Sequence, residues 1–547
     1  MARSDDILTD VPGTVYLVDE SRTLRDAAHA GEQDILLIPQ PSNSLADPLN
    51  WSRLKKYWSL FLISAYACVY SFGENNWGAS WTVISDDTGV SLTNMNGGSA
   101  LNYLLLGFFN IIWIPSAMKF GRKIVYILSL ILLMAGSIWG GFYHGTAQYY
   151  IMLAVQGVGT AAYQALIQLT IFDMFFTHER GRMVAIYIFF QQLGSILGLI
   201  LGGYISDGIG WRWSSLIEAI ACGVMIILFI FTFDDTMFPR YRFTDPMLTR
   251  LSRSSDADEE IKPQGEAKED PMVRSNSNSI GGEDMPPRTY RQQIAMVHYF
   301  ADDQTTWFQY FRRPFYLFAF PNIVLAGIQF AFGCTAGIVS FNTISEIMTE
   351  KPYNWSAGST GLIFLAALVG NFLGSRMGVG SLSDWVVLVL ARRNKGYKEP
   401  EMRLWVYIFP FIFGAVGYFT YGWAATYGDH WMAIAVALCC MIAQQVSITS
   451  LATAYAMECF DGISGELVVV LAICSSLINF AISFSVQPFI DSTNYGWTFT
   501  CFGLLVVLSV LAGIPMIIWG KDWRRKCKAR YEQFLAETGR NGRPSAM

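Results

Sequence analysis

Apolar sequence falls into two blocks, Tyr57 to Phe233 and Pro314 to Gly520, separated by a polar stretch from Asp234 to Arg313. Each block is wide enough for six membrane helices, because one span needs about twenty mostly apolar residues. The pattern predicts spans at 57–80, 99–118, 122–142, 148–174, 183–206, 213–233, 315–345, 358–379, 404–425, 430–455, 465–488 and 497–520. Glu74, Asn75 and Asn76 interrupt the first span near its far end. The prediction is an all-α integral membrane protein, with twelve transmembrane helices in two six-helix halves. Secondary transporters are built from repeats of this kind. The expected organisation is a tail over 1–56, a bundle over 57–233, a central loop over 234–313, a second bundle over 314–520 and a tail over 521–547.

The central stretch mixes acidic and basic residues with polar runs such as Ser254-Ser255-Asp256 and Ser275-Asn276-Ser277. It reads as a largely disordered tether with interfacial helices at its edges. Composition agrees with a membrane protein. The chain is 52% hydrophobic and 15% charged, where a soluble domain carries about a quarter charged residues. A net charge of −5 and the lack of a basic stripe argue against a nucleic-acid partner. Most of the nine Cys lie in apolar runs without CxxC or Cys/His spacing, so neither a metal site nor a disulfide framework is expected. The five His are scattered and no GxxxxGK[ST] occurs. An ATP-driven pump and an enzyme are therefore disfavoured, and no cofactor is implied.

Lys and Arg set the orientation. With a cytosolic N-terminus, the cytosolic segments hold Lys55 and Lys56, then Lys119, Arg122 and Lys123, then Arg180, Arg312 and Arg313, then Arg392 and Arg393, and finally Arg524 and Arg525. Both termini are expected in the cytosol. The loop from Glu458 to Ser464 fits less well, being cytosolic yet free of basic residues. Asn354-Trp355-Ser356 is a glycosylation sequon in an outer loop.

Several motifs carry mechanism. Lys119-Phe120-Gly121-Arg122-Lys123 fills the tight loop before the third span, where Gly permits a sharp turn and the cations anchor and gate. Gly380-Ser381-Leu382-Ser383-Asp384 and Arg392-Arg393 stand in the corresponding place of the second block. Gly194, Gly198, Gly202 and Gly203 give the fifth span a stripe of small residues for close helix approach. Asp173 stands near the cytosolic end of the fourth span, and His178-Glu179-Arg180-Gly181 follows it.

These motifs, with Asp47-Pro48-Leu49-Asn50-Trp51 and Gly210-Trp211-Arg212-Trp213, resemble a fungal branch of the major facilitator superfamily, of the twelve-span drug:proton antiporter type. The resemblance covers about residues 47 to 525. It implies the major facilitator fold, a small-molecule substrate and protons as the coupling ion. Three positions depart from the family pattern. Met118 replaces the loop acid, Leu153 replaces an Arg tied to proton coupling, and Leu199 replaces the Pro of the antiporter motif. The second block keeps its loop acid as Asp384, which is expected to pair with a nearby Arg.

Charge inside a span costs about a few kcal/mol or more and needs a reason. Glu74, beside Asn75, is the first candidate for a cargo or proton site. Glu218 is the second, unless Arg212 pairs with it. Asp173 is expected at the cytosolic gate. Tyr163, Gln164, Gln168, Asn322, Gln329, Asn371, Gln445 and Tyr455 are uncharged candidates for the cavity between halves, since lipid offers them no partner. Pro321 and Pro488 either kink their helices as hinges or mark helix ends. The expected function is proton-coupled efflux of small organic molecules, xenobiotics or secondary metabolites, by alternating access. Uptake of a cationic nutrient such as a polyamine is the alternative. A multi-pass monomer in the plasma membrane, or else the vacuolar membrane, is expected.

Overall fold

A computed structural model describes residues 11–16, 44, 46–238, 289–297, 306–378, 381–394, 397–460 and 463–540. Most of the expected central loop, and the side chain of Gln164, lie outside the described residues. The first half contains α1 (Arg53–Asn75), α2 (Trp81–Thr88), α3 (Leu92–Phe120), α4 (Arg122–Gly140), α5 (Gly145–Thr160), α6 (Tyr163–Met174), α7 (Thr177–Gly208) and α8 (Arg212–Thr232). Two short helices follow, α9 (Tyr290–Ile294) and α10 (Trp307–Tyr316). The second half contains α11 (Pro321–Thr349), α12 (Ala357–Leu362), α13 (Leu365–Met377), α14 (Ser381–Arg393), α15 (Ile408–Tyr427), α16 (Trp431–Cys459), α17 (Ser464–Ser492), α18 (Tyr495–Leu511) and α19 (Gly513–Arg540). The pairs α5–α6, α12–α13 and α18–α19 each form one span with a local break.

Among the described residues, eleven helical segments are long and apolar enough to cross a membrane. The twelfth span is α1, whose Lys, Tyr, Ser and Glu residues dilute its apolar character. Helix starts follow local chemistry. Ser52, Ser91, Ser356 and Asn494 cap α1, α3, α12 and α18 by accepting backbone N–H bonds, which satisfies donors left orphaned at a helix start. Pro321 occupies the first turn of α11 and begins that helix instead of bending it. The span expected from residue 315 therefore starts at Pro321, and the preceding aromatic run forms the separate helix α10. Pro488 does lie inside α17. The second-half loop motif is likewise helical, as α14, and α19 stays helical to Arg540, well past the expected span end.

Close packing holds α1 against α7. A Cβ at Gly194, Gly198 or Gly202 would lie 2.2, 2.5 or 1.9 Å from the carbonyl oxygens of Cys68, Phe72 and Asn76. Those glycines let two backbones touch along three turns. The neighbouring Gly203 meets the second half instead, with its Cβ position 2.4 Å from the Ala357 carbonyl oxygen. Gly370 and Gly374 repeat the device in the second half, where their Cβ positions lie 2.3 and 2.7 Å from the Cys439 and Ala443 carbonyls of α16.

Alternation of the spans puts the start of α1 and the end of α19 on one face, here called the terminal face. The two halves touch toward both faces. On the opposite face Asn342 Nδ2 donates to Asn96 Oδ1 at 2.8 Å and Gly358 N donates to Asp207 Oδ2 at 2.8 Å. Toward the terminal face Ile111 and Ile114 of α3 pack with Val468, Val469 and Ile473 of α17. A short strand, β1 (Val15–Tyr16), pairs antiparallel with β2 (Tyr397–Lys398), which ties the N-terminal segment to the second half.

Candidate functional site

Glu74 occupies the last turn of α1, where the helix is about to end at Asn75. A cavity opens there among α1, α3, α5 and α8. Glu74, Asn76, Asn102, Gln156 and Ser215 form its polar lining, and Trp77, Tyr103, Tyr149 and Leu153 its apolar walls. No Lys or Arg is among the described lining residues. Glu218 stands directly behind this wall and is 1% exposed. Its Oε2 accepts from Asn76 Nδ2 at 3.4 Å, and Ser137 is a second hydrogen-bonding neighbour of this carboxyl. The carboxyl reaches α1 because residue 73 lacks a side chain: a Cβ on Gly73 would sit 1.8 Å from Glu218 Oε1. Gly73 thus lets a carboxyl of α8 abut the backbone next to Glu74.

Arg212 does not pair with Glu218, the alternative that the sequence left open. Arg212 Nη1 pairs with Asp87 Oδ2 at 2.8 Å instead, and the Trp211 indole donates to the same oxygen at 3.0 Å. Asp87 sits on α2, outside the spans, against the Trp211-Arg212 start of α8. The Trp211 N–H first, and Arg212 with it, hold the Asp87 carboxyl below the usual carboxylate range. This pair caps an aromatic plug of Trp77, Trp81, Tyr143, Tyr149 and Trp211 that closes the cavity from the opposite face. Trp77 and Trp211 meet edge-on with centroids 5.7 Å apart, a favoured aromatic geometry.

The other candidates divide by place. Tyr163 stacks on Tyr70 of α1 at 3.9 Å between centroids and accepts from Gln191 Nε2 at 2.8 Å. Gln168 Nε2 donates to the Tyr187 hydroxyl at 2.8 Å. Asn75 Nδ2 donates to the Ser195 hydroxyl at 3.2 Å, which joins α1 to α7. Asn322 Nδ2 donates to the Tyr455 hydroxyl at 2.8 Å and to the Gly520 carbonyl at 3.1 Å, a knot at the terminal end of the second half. Gln329 accepts from the Tyr407 hydroxyl at 2.8 Å and donates to the Ser509 carbonyl at 3.3 Å. Asn371 is fully buried on α13, and Gln445 lies against Gly337 of α11. None of Asn322, Gln329, Asn371, Gln445 and Tyr455 lines the cavity at Glu74. Asn354 is exposed in the loop between α11 and α12, as the sequon requires, with a left-handed φ of 50°.

On the terminal face the loop motifs resolve into two equivalent ion pairs. Gly121 turns at φ 103°. Arg122, at the start of the third span, pairs with Asp173 at the end of the fourth, Nε to Oδ2 3.1 Å. Asp173 thereby supplies the acid that Met118 lacks. Arg403, at the start of the ninth span, pairs with Glu458 at the end of the tenth at 2.7 Å and with Asp384 at 3.2 Å. Lys398 joins Glu458 at 2.8 Å. The basic-free loop at Glu458 is thus served by cations from another loop. Lys123 donates to the Ile230 and Gln293 carbonyls at 2.9 and 2.7 Å, and Arg180 to the Phe172 and Phe175 carbonyls, both at 3.1 Å, at the end of α6. Lys119 lies half-buried beside this loop, while Arg392 and Arg393 are exposed on α14. Sequence reasoning did not single out Gly73 or Asn102, and it missed Arg403.

The Major Facilitator Superfamily profile matches residues 62–465. An uncharacterized MFS-type transporter of Schizosaccharomyces pombe is 29% identical, covering 97% of this chain and 95% of that one. Protein HOL1 of Saccharomyces cerevisiae is 25% identical over 92% of each. The MFS antiporter QDR3 of Candida albicans is 22% identical over 88% of this chain and 78% of its own. The solved structure of the proton:xylose symporter XylE bound to 6-bromo-6-deoxy-D-glucose is similar in fold, with a TM-score of 0.56, 12% identity, and coverage of 85% of this chain and 96% of that one.

Proposed function

Because the chain belongs to the Major Facilitator Superfamily and is a multi-pass membrane transporter, we propose that it exports small organic cations in exchange for protons by alternating access. One observation carries this reading: Glu74 in the cavity lining and Glu218 directly behind it, with no cationic side chain in that lining. A carboxylate held out of water costs several kcal/mol unless a positive charge accompanies it. A proton and a cargo cation are interchangeable in that role. Glu74 contacts the cargo, and Glu218 holds a proton behind the cavity wall, its carboxyl oriented by the N–H that Asn76 donates to it. Trp77, Tyr103 and Tyr149 add aromatic faces, which attract ammonium groups. Binding of cargo to the deprotonated pair and its release on protonation couple the two fluxes, while the halves rock about α3–α17 and α7–α12.

The terminal face is cytosolic in this reading, the protein is a monomer, and the plasma membrane is its site. The QDR3 relative, an antiporter by name, supports exchange as the mode of coupling. The test is transport in proteoliposomes with a panel of linear diamines, quaternary ammonium compounds and neutral amphiphiles. An imposed pH gradient should drive cations against their gradient, and E74Q should reduce this at least about tenfold, the equivalent of about 1.4 kcal/mol. Neutral compounds carried equally well by wild type and E74Q would overturn the reading. Cation and proton moving in the same direction would make the protein an uptake carrier.

A further inference from the structure

The helix α10 begins by design of its sequence: Gln309 Oε1 accepts from the Thr306 N–H at 2.9 Å in a capping box. Its two faces differ sharply. Inward, Tyr310 and Arg313 are buried and Trp307 and Phe311 half-buried. Outward, Phe308 is 61%, Phe315 47% and Tyr316 50% exposed, with Arg312 among them.

The inward face touches both halves. Trp307 Nε1 donates to Ser116 Oγ of α3 at 3.1 Å. Phe311 packs on the cluster where Ile111 and Ile114 of α3 meet Val468 and Val469 of α17. Arg313 Nη1 lies 4.0 Å from Glu466 Oε1 of α17, and both side chains are nearly out of solvent. Arg313 also covers the Tyr310 ring at 5.0 Å. Only Leu317–Phe320 separates α10 from Pro321, so the helix moves with the second half. Trp307 and Phe311 are then its grip on the first half, at the terminal end of the seam.

The outward face has the chemistry of a membrane interface: amphipathic rings at headgroup level with a cation among them. Exposed Tyr57, Trp58, Trp405 and Trp519 mark that level elsewhere around the terminal face. The stripe on α10 continues this belt across the connection between halves.

We propose that α10 is a clasp seated in the bilayer interface: Phe308, Arg312, Phe315 and Tyr316 engage lipid, while Trp307 and Phe311 hold α3 to α17 and keep the terminal face closed. The proposal rests on the alternating-access reading above. Opening the terminal face separates α3 from α17, and α10 must then release α3. The lipid contact fixes the angle at which the grip is made. Bilayer properties thus bias the conformational equilibrium of the carrier without touching the cargo cavity.

Two measurements on the full-length protein in phosphatidylcholine nanodiscs test this. First, bimane at F308C, corrected for labelling of unsubstituted protein, should be quenched by shallow doxyl-labelled lipid at least about twofold more than by aqueous iodide. Stronger quenching by iodide than by lipid would overturn the bilayer seat in favour of a solvent- or protein-facing helix. Second, hydrogen exchange is followed in the peptides covering 111–120 and 465–473. W307A should speed exchange there at least about fivefold, W307F by less, and the F308S/F315S pair should reproduce the W307A effect. Unchanged exchange in W307A, with wild-type protein showing pH-dependent exchange at both faces, overturns the clasp alone. Wild-type protein in which no pH between 5.5 and 8 shifts exchange from one face to the other overturns alternating access itself.

Discussion

Gly73 shows how a single missing side chain shapes the site. A methyl at that position would displace the Glu218 carboxyl, which is 1.8 Å from where the Cβ would be. G73A should therefore insert and fold but lose proton-driven cation transport to the level of E218Q. The double variant G73A/E218A should transport no worse than E218A alone, because the two residues form one unit and their effects do not add. Transport by G73A at wild-type levels would show that the Glu218 contact is dispensable. Asp87 gives a residue-scale pH dependence. Its carboxyl is held below the usual range by Trp211 and Arg212. The pair therefore stabilises the protein at and above the ordinary carboxylate range, and that contribution disappears as pH falls through the lowered value. D87N should flatten the loss of thermal stability on acidification from pH 5 to pH 3. An unchanged acid slope in D87N would assign that slope to other groups.

At the scale of elements, the terminal-face ion pairs occupy equivalent places in the two halves, and within the second half the partners differ in depth. Arg403 is nearly buried and serves two acids, whereas the Asp384 side chain is 54% exposed. Removing Arg403 leaves the half-buried Glu458 with only Lys398, a loss of about 1–3 kcal/mol. D384N removes an exposed partner, worth about 0–1 kcal/mol. Thermal unfolding in detergent should therefore fall much further in R403A than in D384N, and equal shifts would contradict this ranking. The α1–α7 contact makes a second prediction. G202L places a side chain where the Asn76 carbonyl oxygen is 1.9 Å from the Cβ position. Overpacking of this kind costs about 1–3 kcal/mol or more, so G202L should lower the unfolding temperature, whereas G208L, with open space at its Cβ, should not.

Legibility in the sequence followed the same scales. Apolar runs of span length were plain in the sequence because lipid demands them, and the glycine stripe at 194, 198 and 202 was visible because close approach needs small residues. Glu74 and Glu218 were each conspicuous as charges at membrane depth. Their meeting was not, since it depends on how α1 and α8 are rotated, and spans that are apolar nearly all round carry little rotational signal. The Arg403–Glu458 pairing escaped for a related reason: each residue sits at a span end that reads as ordinary interface, and only the fold brings them together. The lone acidic loop at Glu458, without a base of its own, was the one signal that pointed there. The uncharged polar residues were the least legible. Asn322 and Gln329 bind other helices of the second half, and the sequence does not distinguish such glue from a cavity lining.

For the whole molecule, the first half holds the acidic cavity and the second half supplies the larger share of the terminal-face ion network. That division predicts that the proton and cargo chemistry belongs to the first half and that the second half serves as its moving counterpart. The most direct test is the number of protons released when a cation binds. Calorimetric titration of the purified carrier at pH 7, in buffers of different ionisation enthalpy, with whichever panel cation binds, measures that number. The predicted result is release of about one proton per cation by wild type and none by E74Q/E218Q. Cation binding without proton release in wild type, or the same release in the double variant, would contradict exchange at Glu74 and Glu218.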